Sequence, residues 1–163
     1  MKWNPFEDSM LATCCEDGSI RLWEFDTEKG LLINQDESKA LVDLRLHQRR
    51  CTQISWHPIV KNVLMSVSQE PKIAIWNLDE GEAEVEINAP KVIHFAEWSA
   101  KGDRIVTTDK DKMIRIYDAR SGKQLMVSSC LGVTHSQKYI QNIFLLIWLS
   151  QYLFIFYGKK EMK

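Results

Sequence analysis

The residue types that most often carry chemistry are present, but their spacing is unpromising. The four cysteines are Cys14, Cys15, Cys51 and Cys130, and the four histidines are His47, His57, His94 and His135. No C-x-x-C, H-E-x-x-H or other metal-ligand spacing joins them. Cys14 and Cys15 are adjacent, and neighbours on a strand point to opposite faces, so they cannot share an ion. No phosphate-cradling glycine loop, dinucleotide fingerprint or nucleophile elbow occurs. We therefore expect no catalytic residues, no cofactor and no metal, hence no enzyme. A disulfide framework is not expected either: no secretory pattern is visible and the chain needs no staples, which suggests a reduced, cytosolic protein.

Bulk composition narrows the class. The chain has 163 residues, 45% hydrophobic and 26% charged, with a formal net charge of −1. Those shares are ordinary for a globular chain, and no basic excess argues for nucleic acid. The charge is uneven. Residues 130–163 hold Lys138, Lys159, Lys160 and Lys163 against Glu161, a net of +3.

The unusual feature is tryptophan, six in all, five of which mark an internal repeat. Trp3, Trp56 and Trp98 open three similar segments, which Trp23, Trp76 and Tyr117 close 20, 20 and 19 residues later. Each segment runs from its opening Trp through a turn into an apolar strand: Met10 to Cys14, Val63 to Val67, Ile105 to Thr108. A second turn follows, then an alternating strand: Ile20 to Trp23, Ile73 to Trp76, Ile114 to Tyr117. Short β-branched runs between turn residues predict strands. Outer strands are expected at Leu41 to Leu46, Ala83 to Asn88 and Gln124 to Ser128. Four strands in about 40–45 residues is the arithmetic of a propeller blade.

The segments WNPFEDSMLATCCEDGSIRLWEF, WHPIVKNVLMSVSQEPKIAIWNL and WSAKGDRIVTTDKDKMIRIYDAR resemble WD repeats. More narrowly, W-H-P, N-V-L, I-W-N and D-x-R-x-G resemble coronin blades. The wording N-P-F-E-D-S and C-E-D-G looks closest to the long tandem-propeller coronins, the coronin-7 or POD-1 type. The resemblance covers about residues 3–128. It implies an all-β, WD40-type propeller fragment: residues 1–129, with blades at about 3–46, 47–88 and 89–129. Three blades cannot close a ring that needs about four to eight, so poor folding alone or self-association is expected.

The resemblance also implies a blade network of His, Ser or Thr, Asp and Trp. The matching residues are Thr13, Asp17 and Trp23 in the first blade. They are His47, Ser66, Glu70 and Trp76 in the second, and Thr107, Asp111 and Tyr117 in the third. Ala89 stands at the third His position, and no segment shows the full set, so partial networks are expected. The family relation implies a non-catalytic scaffold in the actin cytoskeleton, cytoplasmic, with a link to Golgi and vesicle traffic for the tandem type. Propeller loops bind partners. One loop face would gather His47, Gln48, Arg49, Arg50, Lys72, Lys91, Lys110 and Lys112, a basic patch suited to an acidic filament. Asp118 and Arg120 resemble the W-D-x-R box of ubiquitin-ligase adaptor binding, which makes a WD-repeat substrate receptor the alternative.

Residues 139–157 carry no charge and three readings are open for them. They form a membrane anchor, they cover the open propeller edge, or residues 130–163 lie outside native coding sequence. The abrupt end of the repeat near Ser129 favours the last.

Overall fold

The computed structural model describes residues 1–26, 31–32 and 40–129. Every regular element among them is a β-strand. The first sheet holds β1 (Lys2–Asn4), β2 (Glu7–Cys14), β3 (Ile20–Asp26), β4 (Leu31–Leu32) and β5 (Val42–Leu44). The second holds β6 (Cys51–Trp56), β7 (Val63–Ser68), β8 (Lys72–Asn77) and β9 (Glu82–Asn88). The third holds β10 (Ile93–Trp98), β11 (Arg104–Asp109), β12 (Met113–Asp118) and β13 (Gln124–Ser129). All pairings are antiparallel between strands in chain order, with the first sheet varying at its edge. There β5 pairs with Ile20 to Leu22, and β4 pairs farther along β3, with Phe25 and Asp26. The outer strand expected over Leu41 to Leu46 is thus only three residues long. The tail at 130–163, with its three readings, lies outside the described residues.

The register is the same in each sheet. The closing aromatic faces an aliphatic residue: Leu11 opposite Trp23, Leu64 opposite Trp76, Ile105 opposite Tyr117. Two positions on, Thr13 faces Arg21, Ser66 faces Ala74 and Thr107 faces Arg115. Strand alternation then sorts each sheet into two faces. In the second sheet Leu64, Ala74 and Trp76 pack with Ala12, Ile20, Leu22 and Leu44 of the first. Its opposite face, Met65, Val67, Ile73 and Ile75, packs with Ala96, Trp98, Ile105 and Tyr117 of the third. The middle sheet is apolar on both sides for that reason. Each fully buried aliphatic there stabilises by about 1.5–3 kcal/mol.

Indole hydrogen bonds repeat at both junctions. Trp56 Nε1 donates to the Lys2 carbonyl at 3.1 Å, and Trp98 Nε1 donates to the Ser55 carbonyl at 3.2 Å. Lys2 precedes Trp3 as Ser55 precedes Trp56, so each opening Trp reaches the same point of the preceding sheet. Trp3, on the first sheet, is 55% exposed. The second junction gains four further bonds. The Gln53 side chain donates to the Ala96 carbonyl and accepts the Ala96 N–H. Ser55 donates to Glu97 at 2.9 Å, and His57 Nε2 donates to the Gly102 carbonyl at 3.2 Å.

One glycine at the first junction is sterically required. Gly18 has φ of +84°, and a Cβ there would lie 2.5 Å from the His47 carbonyl oxygen and 2.8 Å from that of Arg49. Gly81 has φ of +71° with nothing within 4 Å of such a Cβ. Gly18→Ala should therefore cost roughly 2 kcal/mol or more, adding a backbone clash to the left-handed strain. Gly81→Ala should cost about 1 kcal/mol from strain alone. Denaturant midpoints of the two variants check this; equal losses would sink the steric argument.

Candidate functional site

A buried polar chain crosses the second blade. Trp76 Nε1 donates to Ser66 Oγ at 2.9 Å, and Ser66 Oγ lies 2.7 Å from His47 Nε2. His47 Nδ1 lies 3.0 Å from Glu70 Oε1. One proton ordering satisfies every group: Ser66 donates to Nε2, and Nδ1–H donates to Glu70. Gln48 N–H adds a bond to the same carboxylate at 3.3 Å. All four expected residues therefore join, with Glu70 at the acid position; the expectation of partial networks is corrected for this blade. The His47 side chain is fully buried. Burial pushes its pKa below the ordinary histidine value, against the opposing pull of Glu70, so the ring is neutral at pH 7. Burial raises Glu70, but hydrogen bonds from His47, Ser68 and the Gln48 N–H outweigh it and hold the carboxyl below its usual range.

The outer two blades are partial. Trp23 Nε1 donates to Thr13 Oγ1 at 2.9 Å, and Thr13 donates to the Arg21 carbonyl at 3.3 Å. Asp17 does not join them: it accepts from the Ser19 hydroxyl at 2.6 Å, the Ser19 N–H at 3.0 Å and Arg21 at 2.9 Å. No imidazole reaches it among the described residues, and its carboxylate caps its own turn. In the third blade Thr107 donates to the Arg115 carbonyl at 3.4 Å. Tyr117 offers no indole N–H, and its buried hydroxyl has no partner among the described residues. Asp111 is exposed and unbonded among the described residues. A buried ion pair, Arg115 with Asp109, stands on the same face instead. The sequence reading missed it, although Arg115 between Ile114 and Ile116 occupies the position of Ala74, an inward site where charge needs a partner.

The loops entering β6 and β10 lie at the same end of the sheets as the turns closing β2, β7 and β11. Backbone bonds hold them together: Gln69 N–H to the Arg50 carbonyl and Lys110 N–H to the Val92 carbonyl, both 3.0 Å. Arg49, Lys91, Lys110 and Lys112 are exposed there and make no ion pair among the described residues. Arg50 pairs with Glu16 at 3.3 Å and Lys72 with Glu86 at 3.0 Å, so local acids answer both charges. His47 does not belong to this surface, since its ring is buried and neutral. At the opposite end Asp118 and Arg120 line an open groove of about 450 Å³ between the second and third blades, beside His57, Val60, Val85 and Trp98. Asp118 Oδ1 accepts from the Arg120 N–H, the Ser121 N–H and the Ser121 hydroxyl at 3.2, 2.8 and 2.8 Å. Among the described residues no cluster of His, Cys, Asp and Glu could hold a metal ion, and no helix is long and apolar enough to cross a membrane.

Four-stranded meanders stacked face to face, with a Trp–Ser–His–acid chain inside one, define a segment of a WD-repeat β-propeller. The WD domain, G-beta repeat family matches residues 1–24 and 87–118. Human coronin-2A is 34% identical over 140 residues, covering 81% of this chain and 26% of that protein. Human coronin-7 is 32% identical over 125 residues, covering 76% of this chain and 13% of that protein. The WD40 domain of Toxoplasma gondii coronin superposes with a TM-score of 0.72 at 27% identity, over 78% of this chain and 32% of that one. The chain is a coronin-like WD-repeat protein, and it spans about a quarter or less of the two coronin relatives. Identities of 34% and 32% do not rank the tandem type above the other.

The network makes stability pH-dependent with a definite sign. His47 and His57 both have folded pKa values lowered by burial, so the unfolded chain binds protons that the folded chain refuses. Their contribution is complete above the unfolded histidine value of about 6.5 and is lost as pH falls below it. Glu70, also lowered, adds a loss at more acidic pH. The thermal midpoint should hold steady from pH 8 to 7 and fall progressively below about 6.5. His47→Gln should flatten that first stage. A midpoint unchanged on acidification would contradict the buried neutral imidazole.

Proposed function

We propose that the chain is a non-catalytic scaffold of a coronin-like actin-cytoskeleton regulator, and that its loop end docks actin filaments. The observation that carries this reading is the set of free cations, Arg49, Lys91, Lys110 and Lys112, on one end of a chain that is net negative overall. Unpaired exposed cations on a rigid scaffold steer encounter with an acidic surface. The finer parts of the reading are a cytoplasmic, cytoskeleton-associated location and, for a tandem-type coronin, a place in Golgi or vesicle traffic. A ligase-adaptor role has less support, because Asp118 is occupied by its own turn.

Self-association belongs to the same reading. Trp3 and Phe6 of the first blade are 55% and 42% exposed, and Leu125, Met126 and Val127 of the third are 51%, 59% and 47% exposed. Such apolar blade surfaces favour a covering neighbour. Sedimentation velocity of the intact chain should show a concentration-dependent larger species that Met126→Lys reduces; a monomer at all concentrations overturns this part.

For the loop end, the triple variant Arg49→Glu, Lys110→Glu, Lys112→Glu should weaken co-sedimentation with actin filaments roughly tenfold at low salt, with the difference narrowing as salt rises. Unchanged co-sedimentation of the folded variant would remove the basis for filament docking at this surface.

A further inference from the structure

The junction between the first two blades contains a pair of thiols in unequal surroundings. Cys14 ends β2, and Cys51 begins β6. The Cys51 N–H donates to the Cys15 carbonyl at 3.2 Å, so the two segments meet directly at their backbones. Cys14 stands opposite Ile20, on the face that turns toward the second blade, and packs against the same apolar cluster that contains Cys51. Strand alternation directs Cys15 the other way. The Cys51 thiol is buried and donates to the Val67 carbonyl at 3.3 Å, with the Gln53 carbonyl at 3.6 Å, while Cys14 packs against the cluster to which Cys51 belongs.

The two thiols differ in the way that an oxidisable pair requires. Cys14 is only half-buried, so a small oxidant can reach it. The neighbouring Cys51 thiol, against the opposing effect of burial, and the positive charges of the N-terminus and Arg50 favour its thiolate and lower its pKa. Cys51, deeply buried beside Cys14, keeps its proton well above the ordinary thiol range. A reachable thiolate beside a sheltered thiol is the arrangement of an attacking and a resolving cysteine.

We propose that Cys14 and Cys51 form an oxidation site that closes into a disulfide across the junction of the first and second blades. With a peroxide as oxidant, Cys14 thiolate attacks one peroxide oxygen, forming sulfenic acid and releasing hydroxide, which leaves as water after protonation. The Cys51 sulfur then attacks the sulfenic sulfur. The S–S bond forms, the S–O bond breaks, and the departing hydroxide takes the Cys51 proton as a second water. Two thiols are oxidised by two electrons, and one peroxide is reduced to two waters. The new bond would pin β2 to β6 where a single backbone hydrogen bond now joins Cys15 to Cys51.

The test is hydrogen peroxide treatment of the intact chain, followed by digestion without reductant and mass mapping. The expected product is one linked pair of peptides carrying Cys14 and Cys51, lighter than their sum by about 2 Da. The thermal midpoint should rise by roughly 10 °C and return on adding reductant. Cys15→Ser should retain the link, and Cys14→Ser, a change at the half-buried position, should abolish it. Mapping of the unaltered chain is decisive even if Cys51→Ser fails to fold. A link from Cys14 to Cys15 or Cys130, sulfinic acid at Cys14 without any link, or unreacted thiols would each overturn the proposal.

Discussion

A four-stranded sheet has two faces and can bury neither by itself; burial comes from the sheet before and the sheet after. That constraint governs this chain. The middle blade satisfies it on both sides, through Leu64 and Trp76 toward the first blade and Met65 and Ile75 toward the third. The opening tryptophans carry it into hydrogen bonding. Trp56 and Trp98 each donate an indole proton to a backbone carbonyl of the preceding sheet. The repeat spacing therefore encodes contacts between blades as well as within them, and Trp3 is exposed because no preceding sheet stands among the described residues.

The polar networks follow from that stacking. Ser66 and Trp76 lie on the face turned toward the first blade, where His47 arrives from the connecting loop and Glu70 from the hairpin turn. Burial makes the imidazole neutral, and the neutral imidazole passes one proton ordering along the chain from indole to carboxylate. Where no imidazole arrives among the described residues, the parts go elsewhere. Asp17 caps its turn, and the third blade places the charged pair Arg115 and Asp109 on the equivalent face. Similar local sequences thus give three different interiors.

A rigid stack leaves its loops free to carry charge. The loop end combines cations that are locally answered, Arg50 and Lys72, with others that are not. The distinction decides which residues can meet a partner, since a cation already bonded to a carboxylate brings less new attraction. The opposite end offers a groove instead, with Asp118 committed to its own turn.

Much of the fold was legible from residue order. Strands, hairpins and the three-blade repeat follow from Trp spacing, turn residues and period-2 alternation, because those are local properties. The candidate residues of the network were legible by type, and Glu70 in place of Asp did not conceal its position. Their connections were not. That Asp17 stays in its turn, that Tyr117 leaves its hydroxyl unpaired, that Arg50 meets Glu16 and that Cys14 meets Cys51 all depend on which faces and loops of separate sheets come together. Sequence by itself determined a chain of four-stranded WD-type blades. Tertiary structure alone decided which polar groups pair and which charges remain free, because pairing requires distances that only the stacking of sheets sets.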